Sequence, residues 1–153
     1  MALELLKEGH RKALQAVGDL ELALRLLRGG QAAQAVAAVK ATLVFLEGEQ
    51  RVHFRQEEEG LFLYLAKVTG EGPLLAMVGE HESYWKAVAS LSGLSQEPGD
   101  GAELEHLLEH IVSMLKGHIE KEDTAYFPLA EEHLSPRHLK ELDEEMGIIA
   151  HLG

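Results

Sequence analysis

Chain-breaking residues gather at four places in this sequence, and that spacing leaves few folds open to it. Gly29-Gly30 is the first, Thr69-Gly70-Glu71-Gly72-Pro73 the second and the run from Ser95 to Gly101 the third; Pro128 with Ser135-Pro136 makes the fourth. Between them Ala, Leu, Glu, Lys and Gln dominate and runs of β-branched residues are missing, which favours helix almost throughout. The pattern predicts long helices over 2–28, 31–67, 73–94 and 101–132, and a short tail helix near 136–147. Pro73 suits the first turn of the third helix, and Ser135 with Pro136 suits the N-cap and first position of the tail helix. Short connections between long helices make sequence neighbours antiparallel. The expected fold is all-α: an antiparallel up-down-up-down four-helix bundle over residues 1–133, with a C-terminal helix in 134–153 packing on it or on a partner.

Each long helix carries an apolar stripe at three- and four-residue steps. The first runs Leu3, Leu6, His10, Ala13, Val17, Leu20, Leu24, Leu27, and the third Leu74, Val78, His81, Trp85, Val88, Leu91. The second runs Val36, Val39, Leu43, Leu46, Gln50, His53, Glu57, Gly60, Tyr64, and the fourth Leu104, Leu108, Ile111, Leu115, His118, Glu122, Tyr126. Apart from one glycine, the interruptions are histidines, glutamates and one glutamine. They also repeat: His53-Phe54-x-x-Glu57-Glu58-x-x-Leu61-Phe62 recurs as His118-Ile119-x-x-Glu122-Asp123-x-x-Tyr126-Phe127. His10 and His81 pair more loosely, each followed by a valine seven residues on.

His-x-x-x-Glu spacing means little by itself in a chain with 26 acidic residues. Position on the stripe carries the argument, because residues i and i+4 share a helix face. His53 with Glu57 and His118 with Glu122 should project inward as pairs, joined by His10 and His81. Their distances from the breaks agree to within roughly two helical turns at 1.5 Å per residue, so all six can meet at one level. Two carboxylates in an apolar core would cost several kcal/mol each, or would protonate. A bound cation removes that objection, since it needs ionised carboxylate and neutral imidazole. Four His and two Glu without sulfur suit iron or manganese, and zinc as well, though zinc usually takes fewer ligands.

The bulk properties narrow the remaining classes. No cysteine is present, so disulfides, thiolate zinc sites and thiol nucleophiles are excluded. A formal net charge of -12 argues against a nucleic-acid partner. No apolar run approaches the roughly 18 residues of a membrane span and no signal-peptide pattern is seen, so the expectation is a cytoplasmic protein without a membrane partner.

At these residues the chain resembles the haemerythrin-like (HHE cation-binding) domain family, in its bacterial form, across about 130 residues. The resemblance rests on EGH in the first helix (His10), HFRQEE in the second, GEH in the third (His81) and HIEKEDTAYFP in the fourth. It implies a four-helix bundle with a non-haem centre of two irons, bridged by carboxylate and by oxo or hydroxo. His10, His53, His81 and His118 are then terminal ligands, with Glu57 and Glu122 bridging. Two departures stand out. Oxygen-carrying members have a second histidine where this chain has Trp85, and an Asp at the offset of Asp123, although Glu122 better keeps the inward direction. The missing seventh ligand argues against reversible oxygen carriage and leaves an iron with an open position. In that respect the set is similar to the di-iron domain of iron–sulfur cluster repair proteins, whose cysteine-bearing N-terminal segment is not in this sequence.

The expected function is therefore a di-iron protein that binds or reacts with oxygen, peroxide or nitric oxide, in sensing, stress protection or iron handling. An iron store or metal-responsive interaction module without redox turnover is the alternative, and a redox-inert bundle with a self-satisfied polar core the bland reading. Gln50 is a candidate partner for a ligand, or a stripe-edge residue. Tyr64, Tyr84, Trp85 and Tyr126 read as core packing, Glu58 and Glu59 as solvated, and His106, His110, His133, His138 and His151 as surface. Leu139, Leu142 and Met146 give the tail helix an apolar face needing a cover, from the bundle or from a second copy in a homodimer.

Overall fold

The computed structural model describes residues 2–152, among which there is no strand. Helix α1 spans Ala2–Arg28, α2 Ala32–Glu47, α3 Glu49–Gln56 and α4 Phe62–Thr69. Then follow α5 (Gly72–Gln96), α6 (Ala102–Lys121), α7 (Phe127–His133) and α8 (Pro136–Leu152). A π-helical turn, Glu57–Leu61, joins α3 to α4, and a second, Glu122–Tyr126, joins α6 to α7.

The predicted second helix is thus one rod in several pieces. It breaks at Gly48, whose φ of -103° and ψ of -90° lie outside the helical region while its N–H still bonds the carbonyls of Val44 and Phe45. A Cβ there would stand 2.9 Å from the Val44 carbonyl, so a side chain is poorly tolerated. Pro128 does not stop the fourth rod. The π-turn before it makes Phe127-Pro128 the start of a fresh helical segment, where proline's missing N–H matters least. Pro73 sits in the first turn of α5, and Ser135 caps α8 by accepting the His138 N–H at 3.1 Å.

The tail helix continues past Gly147 to Leu152, further than the predicted end at 147. Burial explains the excess: Leu142, Met146 and Ile149 are covered where α8 meets α1, α3 and the first π-turn. These three side chains are covered within the chain. Gly60 in that π-turn makes the close approach practicable, since a Cβ there would lie 2.9 Å from Leu142 Cδ1. The Gln56 amide adds a buried hydrogen bond to the Met146 carbonyl at 3.2 Å.

Helix α1 packs on α2 and α6, and α5 packs on α6 and α2. Two apolar clusters result. One gathers Leu20, Leu46, Leu91, Leu104, Leu108 and Ile111 from α1, α2, α5 and α6. The other gathers Leu6, Leu61, Leu65, Met77, Phe127 and Met146 from α1, α4, α5, α7, α8 and the first π-turn. Three stripe positions shift by one residue from expectation. On α5, Met77 and Tyr84 are buried, while Val78 and Trp85 are half-buried. At the end of the fourth rod Phe127 is buried in place of Tyr126, because the π-turn rotates the chain after Glu122.

Candidate metal centre

The polar interruptions of the four stripes converge. His10, His53, His81 and His118 are buried, and Glu57 and Glu122 have no exposed surface at all. Each glutamate opens a π-turn, one helical turn beyond the histidine with which it pairs. Phe62 and Phe127 then follow five residues after their glutamates, both buried. The repeat seen in the sequence is thus a repeat of helical defects, and π-turns of this kind occur often at functional sites.

Glu57 lies at the middle of the set. Its Oε2 is 3.3 Å from His53 Nε2 and 3.9 Å from His10 Nε2, while its Oε1 is 3.1 Å from His81 Nε2 and 3.8 Å from His118 Nε2. One carboxylate therefore faces one histidine pair with each oxygen. Glu122 Oε1 stands 2.9 Å from His10 Nε2 and 3.3 Å from His118 Nε2, reaching a member of each pair. Donor atoms of His10, His53, Glu57 and Glu122 lie within 4.8 Å of one another, as do those of Glu57, His81 and His118. These are two metal-sized groups sharing Glu57.

The side chains do not satisfy themselves. Both oxygens of Glu57, Glu122 Oε2, His53 Nε2 and His81 Nδ1 are buried without a hydrogen bond. The Nε2 atoms of His81 and His118 face each other at 3.0 Å, so two lone pairs contend for the same space unless one carries a proton. Buried polar atoms left unpaired in this number cost several kcal/mol, which a cation at the centre would relieve. Those atoms weigh against the bland reading of a self-satisfied polar core.

Electrostatics agree. Burial works against a charged His10 and a charged His118, yet Glu122 and Glu57 beside them raise both imidazoles to about 10. Burial also pushes Glu57 up, but His53 and the surrounding imidazoles outweigh it and hold this carboxyl well below its usual range. Glu122 is raised, by burial and by the negative charge of Glu57. Without a metal, protons neutralise the cluster.

Outer carboxylates hydrogen-bond two of the four rings, and a third carboxylate lies near His81. His10 Nδ1 donates to Asp123 at 2.7 Å and His118 Nδ1 to Glu80 at 3.1 Å, while Glu58 lies 3.5 Å from His81 Nδ1. For His10 and His118 such partners place the ring proton on Nδ1 and turn the Nε2 lone pair inward; Glu58 lies near His81 without a hydrogen bond. Glu80 also accepts from Lys121 at 2.7 Å; burial raises this carboxyl, and Lys121 with His118 draws it below the ordinary value. Glu58 is thus turned to His81 and is not simply solvated, a correction to its expected role. Glu59 is exposed and paired with Arg55, as expected. Asp123 has a side chain 44% exposed and meets the outer nitrogen of His10, whereas Glu122 is wholly buried. Glu80 was missed in the sequence, although it sits beside His81 in the GEH motif.

Aromatic rings press on the histidines. Phe54 stacks on His81 at 3.7 Å between centroids and Phe127 on His10 at 4.8 Å. Trp85 packs edge-on to Phe54 and lies under Arg51. Tyr84 donates to the Leu46 carbonyl at 2.9 Å, and burial raises its phenol strongly. His106, His110, His133 and His151 are exposed and apart from the centre, while His138 is half-buried against Tyr64.

An all-helical chain that buries four imidazoles and two carboxylates around two metal-sized positions is a metal-binding helical protein. Residues 1–130 match the model of the Hemerythrin HHE cation binding domain, and the chain belongs to that family. No significant match to a curated protein or to a solved structure was found. No helix among the described residues is long and apolar enough to cross a membrane.

Proposed function

We propose that this chain is a non-haem di-iron protein whose centre binds or reacts with a small molecule such as oxygen, peroxide or nitric oxide. The carrying observation is the division of Glu57 between two histidine pairs, one oxygen to each. On this reading His10, His53, His81 and His118 hold the irons as terminal ligands, and Glu57 and Glu122 span them. The bound irons would supply one-electron redox chemistry and Lewis acidity. The chain's own part is to fix the donors: Asp123 and Glu80 turn His10 and His118 inward, Phe54 stacks on His81, and Phe54 and Phe127 wall the centre from water. With Trp85 at the place of a seventh histidine, the six residues would leave room for an exogenous ligand.

The proposed frame is an antiparallel up-down-up-down bundle over 1–133. Cross-helix ion pairs support it: Lys7 with Glu131, Glu21 with Lys116 and Arg28 with Glu105 advance along α1 while they retreat along the last rod.

The test is metal content by elemental analysis, with visible spectra of anaerobically iron-loaded protein before and after oxygen or nitric oxide. Two irons per chain and new charge-transfer bands are expected. Iron that binds and releases with no spectral response to either gas would instead make the protein a store or metal-responsive module.

A further inference from the structure

Three of the four central imidazoles present their outer nitrogen to a carboxylate; His53 does not. Its Nδ1 is turned to Gly9 on α1, at 2.3 Å from where a Cβ would stand. Beside it lies a cleft of about 230 Å³, bounded by α1, the α2–α3 rod and the end of α8 at Ala150. His53 is the wall that this cleft and the metal centre share.

Resting on the reading of the centre given above, we propose that this cleft is the entrance through which small uncharged molecules reach the centre, past the edge of His53. Four observations carry it. The walls, from Leu5, Phe45 and Val52, are apolar, which suits dioxygen, nitric oxide or hydrogen peroxide. Charges at the mouth are paired, Lys12 with Glu49 at 3.3 Å and Glu8 with Arg11, so among the described residues lining it there is no free cation to draw in an anion. Within the lining, the Gln50 side chain is buried and its carbonyl oxygen has no hydrogen-bond partner. The other faces are shut: Phe54 and Phe62 cover His81, and Phe127 lies flat on His10. A chain that closes three imidazoles behind aromatic rings or carboxylates, and leaves the fourth beside a lined cleft, has an asymmetric centre.

The test narrows the cleft without touching a central residue. Leu5 is half-exposed on one wall, and Leu5→Trp fills the opening; Val52→Phe does so from the opposite wall. Ala89→Trp adds the same bulk to the groove beside Trp85, away from His53. Nitric oxide association with the ferrous protein, followed by stopped flow, should slow by about tenfold or more in Leu5→Trp and Val52→Phe, with melting temperature and iron content unchanged. Ala89→Trp should react at the wild-type rate. Equal rates in all four proteins, or equal slowing by Ala89→Trp, overturn the proposal. A second arm uses metal-free protein and diethyl pyrocarbonate, with the modified histidines located by mass spectrometry. His53 should react ahead of His10, His81 and His118, and Leu5→Trp should slow it. Should the chain take up no iron, the functional reading falls, and this arm alone decides: a His53 no more reactive than the other three removes the entrance too.

Discussion

Replacing Gly9 by alanine places a methyl group where the His53 ring now lies. The new Cβ would stand 2.3 Å from Nδ1 and 2.9 Å from Cε1, against an ordinary contact beginning at 3.4 Å. Either the ring retreats by about 1 Å or α1 moves away from α3, and in the second case the adjacent His10 leaves with it. Both routes separate ligands that the two proposed metal positions need together. Overpacking of this degree costs roughly 1–3 kcal/mol, and at about 2–4 °C per kcal/mol for a domain of this size the melting temperature should fall by roughly 2–12 °C. Iron affinity should drop roughly tenfold or more, as it does when ligand orientation is disturbed. Gly18, on the same helix with nothing within 4 Å of its would-be Cβ, supplies the control. There alanine should raise stability by about 0.5–1 kcal/mol through helix propensity alone. Thermal melts of both variants, with and without iron, and a competitive chelator titration measure the two effects. A Gly9→Ala protein that melts within about 1 °C of wild type and keeps its iron affinity would refute the reasoning.

Three further outcomes are expected. His10 and His118 sit at about 10 against an ordinary 6.5, so their contribution to metal-free stability is complete below pH 6.5 and lost as pH rises through 10. Melts of metal-free protein across that window should show the decline; metal affinity should climb over the same range, with net proton release on binding at neutral pH, read by calorimetry in buffers of different ionisation enthalpy. Glu122→Gln should abolish full metal loading, whereas Asp123→Asn, acting through His10, should weaken affinity by roughly 10–100-fold while keeping stoichiometry; equal loss in both would make Asp123 a ligand. Leu142→Ala, which empties the seat over Gly60, should cost roughly 2–5 kcal/mol in a denaturant melt, and an unchanged midpoint would mean that α8 does not hold to the bundle.

The six central residues were legible because burial leaves a mark in sequence: a charged or imidazole side chain on an apolar stripe has no cheap explanation. The helices were legible through their breakers. What escaped notice has a common physical cause. A π-turn uses the same residues as the α-helix around it, and its only trace here is the step from Glu57 to Phe62 and from Glu122 to Phe127, five residues where four would continue the stripe. Glu58 and Glu80 look like any solvated acid, since half-buried carboxylates on a helix flank leave no periodic signal. Gly9 and Gly60 are important for the space they leave, which exists only between helices. The cleft beside His53 is likewise a property of three segments far apart in the chain.

The layer of six polar side chains lies between two oily compartments, one toward Leu20, Leu46 and Leu108, the other toward Leu6, Leu65 and Met77. A bar joined in this manner is only as strong as its seam. With metal bound, the seam would be riveted and the two ends would open together; with the rivets out, the end carrying α4, α7 and α8 would be free to loosen while the other stayed folded. Amide exchange would then show one protection level across the loaded chain and two in the stripped one. The centre would therefore set how many cooperative units the protein has, quite apart from any chemistry it performs.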